Sequence, residues 1–136
     1  MLGVISPLAT SATDMLFDSQ IRDKIPDLRP LQLVALCSLH RQLHQLWPPA
    51  IPSPMHARAT ALAGLAALFL DHLSGGVTDF AAHYQHLDGF ELSGKLWDYW
   101  RAKSPAMQPG DESDVVDGFA EILGLGGTYE WSKDAR

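Results

Sequence analysis

The fold of this chain depends on the segment SPMHARATALAGLAALFLDHLSGG, residues 53–76. Its opening Ser-Pro pair favours the start of a helix, and its closing Gly-Gly pair is a strong helix stop. Between the two pairs most positions are apolar, and alanine and glycine keep part of the surface small. Such a helix is typical of a protein interior, because small side chains let neighbouring helices approach closely. We therefore predict a buried central helix at about 54–74.

Most of the central helix lies in a longer stretch, 28–70, that contains no acidic residue. Asp27 is a suitable N-cap and Pro30 fits the first turn of a second helix, which two prolines end after Trp47. A stretch of this length without carboxylates is expected to build the interior. The apolar face of the second helix is predicted to point inward, and it consists of Leu33, Leu36, Cys37, Leu43 and Trp47.

Shorter helical segments are predicted on both sides of these two helices. They cover 15–24, 79–87, 94–103 and a last segment that opens at Asp111 or Ser113 and ends at a group of glycines. Thr78 and Ser93 are the predicted N-caps of the middle two segments. No alternation typical of a β-strand occurs before the short C-terminal tail. The predicted fold is all-α, an irregular single-domain bundle of five or six helices, with a flexible arm at 1–12, a helical domain at 13–127 and an extended tail at 128–136.

Composition favours one globular domain. The 136 residues are 46% hydrophobic and 19% charged, which is within the range of globular proteins. The single cysteine, Cys37, allows no internal disulfide and is expected to be a buried, unreactive thiol. The apolar block at 59–70 is shorter than the ~20 residues that span a bilayer, and the N-terminus lacks the basic start of a secretory signal. We predict a cytoplasmic protein without a membrane partner.

The net charge of −6 is concentrated in the C-terminal half, where residues 71–136 hold twelve of the sixteen acidic side chains. This balance argues against nucleic-acid binding through a basic surface and favours a basic partner. The sequence has no Gly-x-Ser-x-Gly motif, and the glycines at 124–127 follow a helix, whereas a phosphate-binding loop precedes one. The pattern favours a non-catalytic protein over an enzyme.

The main hypothesis is a non-catalytic interaction module of the inhibitor, immunity, antitoxin or assembly-chaperone type. Acidic side chains would steer association with a basic protein partner, and a tryptophan would anchor the interface. The same acidic residues also suit a solvated helix start, and the same tryptophans suit a core, so both interpretations stay open. The predicted partner-binding residues are Trp97, Trp100, Asp111, Glu112, Asp114 and Asp117.

The alternative hypothesis is a helical bundle that binds a metal or small ligand, with an enzyme as one version of it. His40 and His44 are four residues apart and His83 and His86 are three apart, so each pair lies on one helical face. With His72 they would supply nitrogen ligands for a transition-metal ion if the helices converge. The competing interpretation makes His40 a core-edge side chain bonded to a carbonyl, and the others surface residues. A third hypothesis is a homodimer that buries part of the central helix.

Overall fold

A computed structural model describes residues 14–45, 53–108 and 110–127, without the side chains of 36, 39–45 and 53–55. These residues form five α-helices and no β-strand, which confirms the predicted all-α class. The predicted arm and tail lie outside the described residues. The helices are α1 (14–24), α2 (Arg29–Gln45), α3 (Ser53–Leu73), α4 (Phe90–Lys103) and α5 (Glu112–Ile122). Within the described part of the chain, none of them is long and apolar enough to cross a membrane.

Helix α3 is the central element of the bundle, as the sequence predicts. It contacts α2, α4 and a short 3-10 turn at Phe80–His83. Its buried face belongs to one core that also takes side chains from α1, α4 and α5. Removing this apolar surface from water, at about 25 cal/mol per Å², is the main stabilising contribution to the fold. Members of the core include Leu65, Phe69, Leu73, Leu96, Trp100, Val115, Val116 and Phe119.

Close contact between α3 and α4 depends on Gly64 and Ser93. The Ser93 side chain is fully buried, and its hydroxyl donates a hydrogen bond to the backbone carbonyl of Ala61 at 2.8 Å. A Cβ atom at position 64 would lie 2.9 Å from the Cβ of Ser93. The prediction of Ser93 as an N-cap is wrong, because α4 begins at Phe90, directly after Gly89 with its positive φ of 98°.

The predicted helix at 79–87 is also wrong, because this segment forms only a single 3-10 turn followed by further hydrogen-bonded turns. The carboxylate of Asp71 near the end of α3 binds the start of this turn. It accepts hydrogen bonds from the backbone amides of Phe80 at 2.8 Å and Ala81 at 3.0 Å. The hydroxyl of Thr78 donates to the same carboxylate at 2.6 Å and caps no helix. These bonds hold the segment against α3.

Two arginines of the acid-free stretch bind backbone carbonyls at the ends of other elements. The Nε of Arg58 donates to the carbonyl of Leu123 after α5 at 2.9 Å. The Nη2 of Arg29 donates to the carbonyl of Leu73, the last residue of α3, at 3.4 Å. Cations near helix C-termini also interact favourably with the helix dipole. Both arginines therefore have a structural role in the bundle.

Candidate interaction surfaces

Helix α2 and the turn before it expose a row of large apolar side chains. Residues three positions apart lie on the same side of a helix, so Leu31 and Val34 are neighbours on α2. Rows of exposed apolar side chains mark interaction sites more often than single ones do. The row, which we call the α2 ridge, consists of Ile25, Leu28, Leu31 and Val34, with exposed fractions of 47%, 42%, 69% and 65%.

The orientation of α2 is set by Gln32. Its side chain is only 9% exposed, and its Nε2 donates to the backbone carbonyl of Asp18 on α1 at 2.7 Å. A buried amide needs such a partner, because an unpaired polar group in the interior costs about 1–3 kcal/mol. Since Gln32 faces α1, Leu31 and Val34 face outward. The sequence did not predict the exposure of Leu31 and Val34. Its hydrophobic pattern places Leu33 inward but gives no sign that the polar side chain of Gln32 is buried.

A groove of about 370 Å³ lies between α2 and the loop after α3. Leu33, Val34 and Cys37 line it on the α2 side, and Val77, which is 88% exposed, lines it on the other. Cys37 is half-buried here, so the prediction of a buried thiol is wrong. The groove extends the apolar surface of the α2 ridge at Val34.

The acidic residues of α5 form a stripe beside Tyr99. Asp114, Asp117 and Glu121 are all exposed along one side of the helix. Partial burial raises the pKa of Tyr99, and the negative charges of these three carboxylates raise it further. The phenol hydroxyl donates to the backbone carbonyl of Asp114 at 3.3 Å. The stripe therefore presents negative charge around a half-buried aromatic ring.

Asp111 and Glu112, which precede the stripe, bind the backbone. The carboxylate of Asp111 accepts a hydrogen bond from the amide of Gln108 at 2.8 Å. The carboxylate of Glu112 accepts one from the amide of Gly110 at 2.7 Å. Both acidic side chains are half-buried. They order the loop before α5 and add their charge to that of the stripe.

The two predicted tryptophan anchors occupy different environments. Trp100 is 3% exposed and lies edge-on to Phe69 at 6.3 Å between ring centroids, so in this fold it offers almost no surface to a partner. Trp97 is half-buried and contacts Phe69 at 6.4 Å and His72 at 5.4 Å. Part of the Trp97 ring therefore stays accessible for an anchoring contact.

The histidines of the metal hypothesis are exposed where their side chains are described. His72 lies near the end of α3, whereas His83 and His86 lie in and after the 3-10 turn. Among the described residues, no group of three side chains with metal-binding atoms lies together. The side chains of His40 and His44 are outside the described set, so their part in a metal site stays a prediction.

The described surfaces thus include three parts that fit contact with another molecule. They are the α2 ridge, the groove beside it and the acidic stripe of α5. In comparisons with known proteins, no family model matches this chain, and no curated protein or solved structure shows significant similarity to it.

Proposed function

We propose that this chain is a small, acidic, non-catalytic interaction module that binds a basic partner protein. The observation that carries the proposal is the exposure of the α2 ridge, above all of Leu31 and Val34. Exposed apolar side chains are unfavourable in water, and a partner that covers them gains hydrophobic free energy. The acidic stripe of α5 supports a partner of the opposite charge.

The α2 ridge supplies a large share of the free energy that such a complex needs. Fully burying a leucine or valine side chain contributes about 1.5–3 kcal/mol. Leu31 and Val34 are 69% and 65% exposed. Covering both therefore contributes about 2–4 kcal/mol, which corresponds to an affinity change of about 30-fold or more.

The negative charge acts mainly on the rate of association. A net charge of −6 attracts a basic protein before the two surfaces touch. Salt screens this attraction over about 10 Å at 0.1 M ionic strength. Asp114 and Asp117 add local charge beside Tyr99, and tyrosine and tryptophan rings are frequent interface anchors. The ridge would thus determine affinity, and the acidic residues would determine how fast the partner arrives.

A double substitution in the α2 ridge tests the proposal. Affinity capture from a lysate of the source cells compares a wild-type bait with a bait that carries Leu31→Ser and Val34→Ser. The matched control bait carries Ala66→Ser and Ala102→Ser, two exposed helical positions outside the ridge. We expect the wild-type and control baits to capture the same basic proteins. The double variant should bind them with an affinity lower by about 30-fold or more. Because Leu31 and Val34 are exposed, thermal melts of all three baits should agree.

Equal capture by all three baits would contradict the proposal, and so would a set of captured proteins without basic members. Light scattering on the purified chain tests for self-association. If the wild-type chain dimerises and the double variant does not, the molecule that covers the α2 ridge is a second copy of this chain and not a basic partner. That dimer would use the α2 ridge and not the predicted face of α3, whose large apolar side chains are mostly buried within the chain.

A further inference from the structure

A separate cleft lies between α1, α3 and α4, and none of the α2 ridge residues line it. Its volume is about 360 Å³. Sites that bind small molecules commonly measure roughly 300–1,000 Å³. The lining combines apolar, aromatic, cationic and acidic side chains, and it includes Arg22, Asp23, Phe69, His72, Trp97 and Arg101.

Two arginines from different helices act on His72 in this cleft. Partial burial, and then the positive charges of Arg22 and Arg101, lower the pKa of His72, while the charge of Asp23 acts in the opposite direction. Both arginines line the same cleft as this imidazole, although one belongs to α1 and the other to α4. Because His72 is mainly neutral at pH 7, the positive charge of the cleft comes from the arginines.

The protein neutralises these two arginines only in part. The Nε of Arg22 pairs with the carboxylate of Asp23 at 2.9 Å. No carboxylate among the described residues is within ion-pair distance of Arg101. By contrast, Arg29 and Arg58 donate to carbonyls at helix ends. In a chain with a net charge of −6, the cleft is thus a local excess of positive charge.

Trp97 forms an aromatic wall of the cleft. Its ring lies edge-on to His72 at 5.4 Å and is tilted against Phe69 at 6.4 Å. These neighbours hold the indole ring in place, so a ligand does not have to order it on binding. Aromatic groups pack favourably on one another in offset or edge-to-face geometry. The cleft therefore offers one surface for a ring and another for a negative charge.

We propose that this cleft binds a small organic anion in which a carboxylate or phosphate is attached to an aromatic ring. Arg22 and Arg101 bind the anion, because a guanidinium offers two parallel N–H donors to a carboxylate or phosphate. The aromatic ring packs against Trp97. The hydroxyls of Ser19 and Ser104, which also line the cleft, are further donors. This ligand site shares no residue with the α2 ridge or with the acidic stripe of α5.

Nuclear magnetic resonance titration of the full chain tests the site. The probes are phenyl phosphate and phenylacetate. Two comparison compounds carry one feature each: inorganic phosphate has the anion without a ring, and benzyl alcohol has the ring without a charge. The indole N–H signal of Trp97, assigned by comparison with Trp97→Phe, reports binding. We expect saturable shifts with both aromatic anions. Inorganic phosphate and benzyl alcohol should each bind at least about 10-fold more weakly. Equal binding of inorganic phosphate and phenyl phosphate would overturn the aromatic part of the proposal.

Charge variants distinguish a built site from general attraction of anions. Arg101→Gln and Arg22→Gln should each weaken phenyl phosphate binding by about 10-fold or more. Arg101→Lys, which keeps the charge and loses the planar donor pair, should give an intermediate affinity. Lys24→Gln is the matched control, because Lys24 is an exposed cation on α1 that does not line the cleft. No saturable shift below about 10 mM ligand, or an equal loss of affinity in Lys24→Gln, would overturn the proposal.

Discussion

At the scale of single residues, Thr60 is an unfavourable feature of the core. It is fully buried in α3, and its hydroxyl has no hydrogen-bond partner among the described residues. An unpaired buried hydroxyl costs about 1–3 kcal/mol, whereas valine has nearly the same shape and no polar atom. We expect Thr60→Val to raise the free energy of unfolding by about 1 kcal/mol, measured by urea denaturation.

Thr78→Val is the matched control for this substitution. The Thr78 hydroxyl donates to the carboxylate of Asp71 at 2.6 Å and lies 3.0 Å from the hydroxyl oxygen of Ser74. The same change should there lower the free energy of unfolding by about 1 kcal/mol. Loss of stability in both variants would mean that the Thr60 hydroxyl is hydrogen-bonded in solution.

The candidate site could be predicted only in part at this scale. The acidic residues are visible in the sequence because charge is a property of composition, and Asp114 and Asp117 are exposed. The sequence does not distinguish Trp97 from Trp100, since both have helical spacing and similar chemistry. Packing around Phe69 leaves one tryptophan half-buried and buries the other.

At the scale of elements, the contact between α3 and α4 depends on Gly64. A Cβ atom there would meet the Cβ of Ser93 at 2.9 Å, and the hydrogen bond from Ser93 to Ala61 restrains that side chain. We expect Gly64→Ala to lower the free energy of unfolding by about 1–3 kcal/mol, because the helices must separate to accept the methyl group. The shift of the urea midpoint measures this change.

Gly94→Ala on α4 provides the control for a glycine within a helix. A Cβ atom at position 94 would meet nothing within 4 Å. Alanine has the higher helix propensity, so this variant should be more stable by up to about 1 kcal/mol. A Gly64→Ala variant that gains stability to the same extent would show that α3 and α4 are not in close contact at this point.

Helix prediction from the sequence succeeds where a segment is long and its pattern is strong. The Ser-Pro start and Gly-Gly end of α3 act locally, and its apolar composition leaves burial as the favourable state. The segment at 79–87 is short, and the carboxylate of Asp71 holds the amides of its first turn against α3. So short a segment gains little from its own helical hydrogen bonds, and tertiary contacts decide its conformation.

At the scale of the whole molecule, the net charge predicts how the chain meets a basic partner. Asp114→Lys with Asp117→Lys should slow association with the partner captured through the α2 ridge by about 3-fold or more at low salt. The difference should shrink at high salt, because screening removes long-range attraction. Stopped-flow measurements of the association rate at several salt concentrations check both points.

A variant with the same change in net charge separates local from overall electrostatics. Asp14→Lys with Asp79→Lys alters two exposed carboxylates away from α5. If the acidic stripe of α5 steers the partner, this control should slow association less than the α5 variant does. Unchanged rates in the α5 variant would remove the stripe from the proposed function and leave the α2 ridge as its basis.

The sequence by itself determined the all-α class, the central position of α3 and the acidic character of the C-terminal half. Each follows from local pattern or composition, because helix signals and net charge do not depend on distant residues. Tertiary structure alone decided which apolar side chains are exposed to solvent and which cationic side chains line the same cleft. The hydrogen bond from Gln32 to α1 turns Leu31 and Val34 towards solvent. Packing of α1 against α3 and α4 brings Arg22 and Arg101 to one cleft, since only folding places such distant segments side by side.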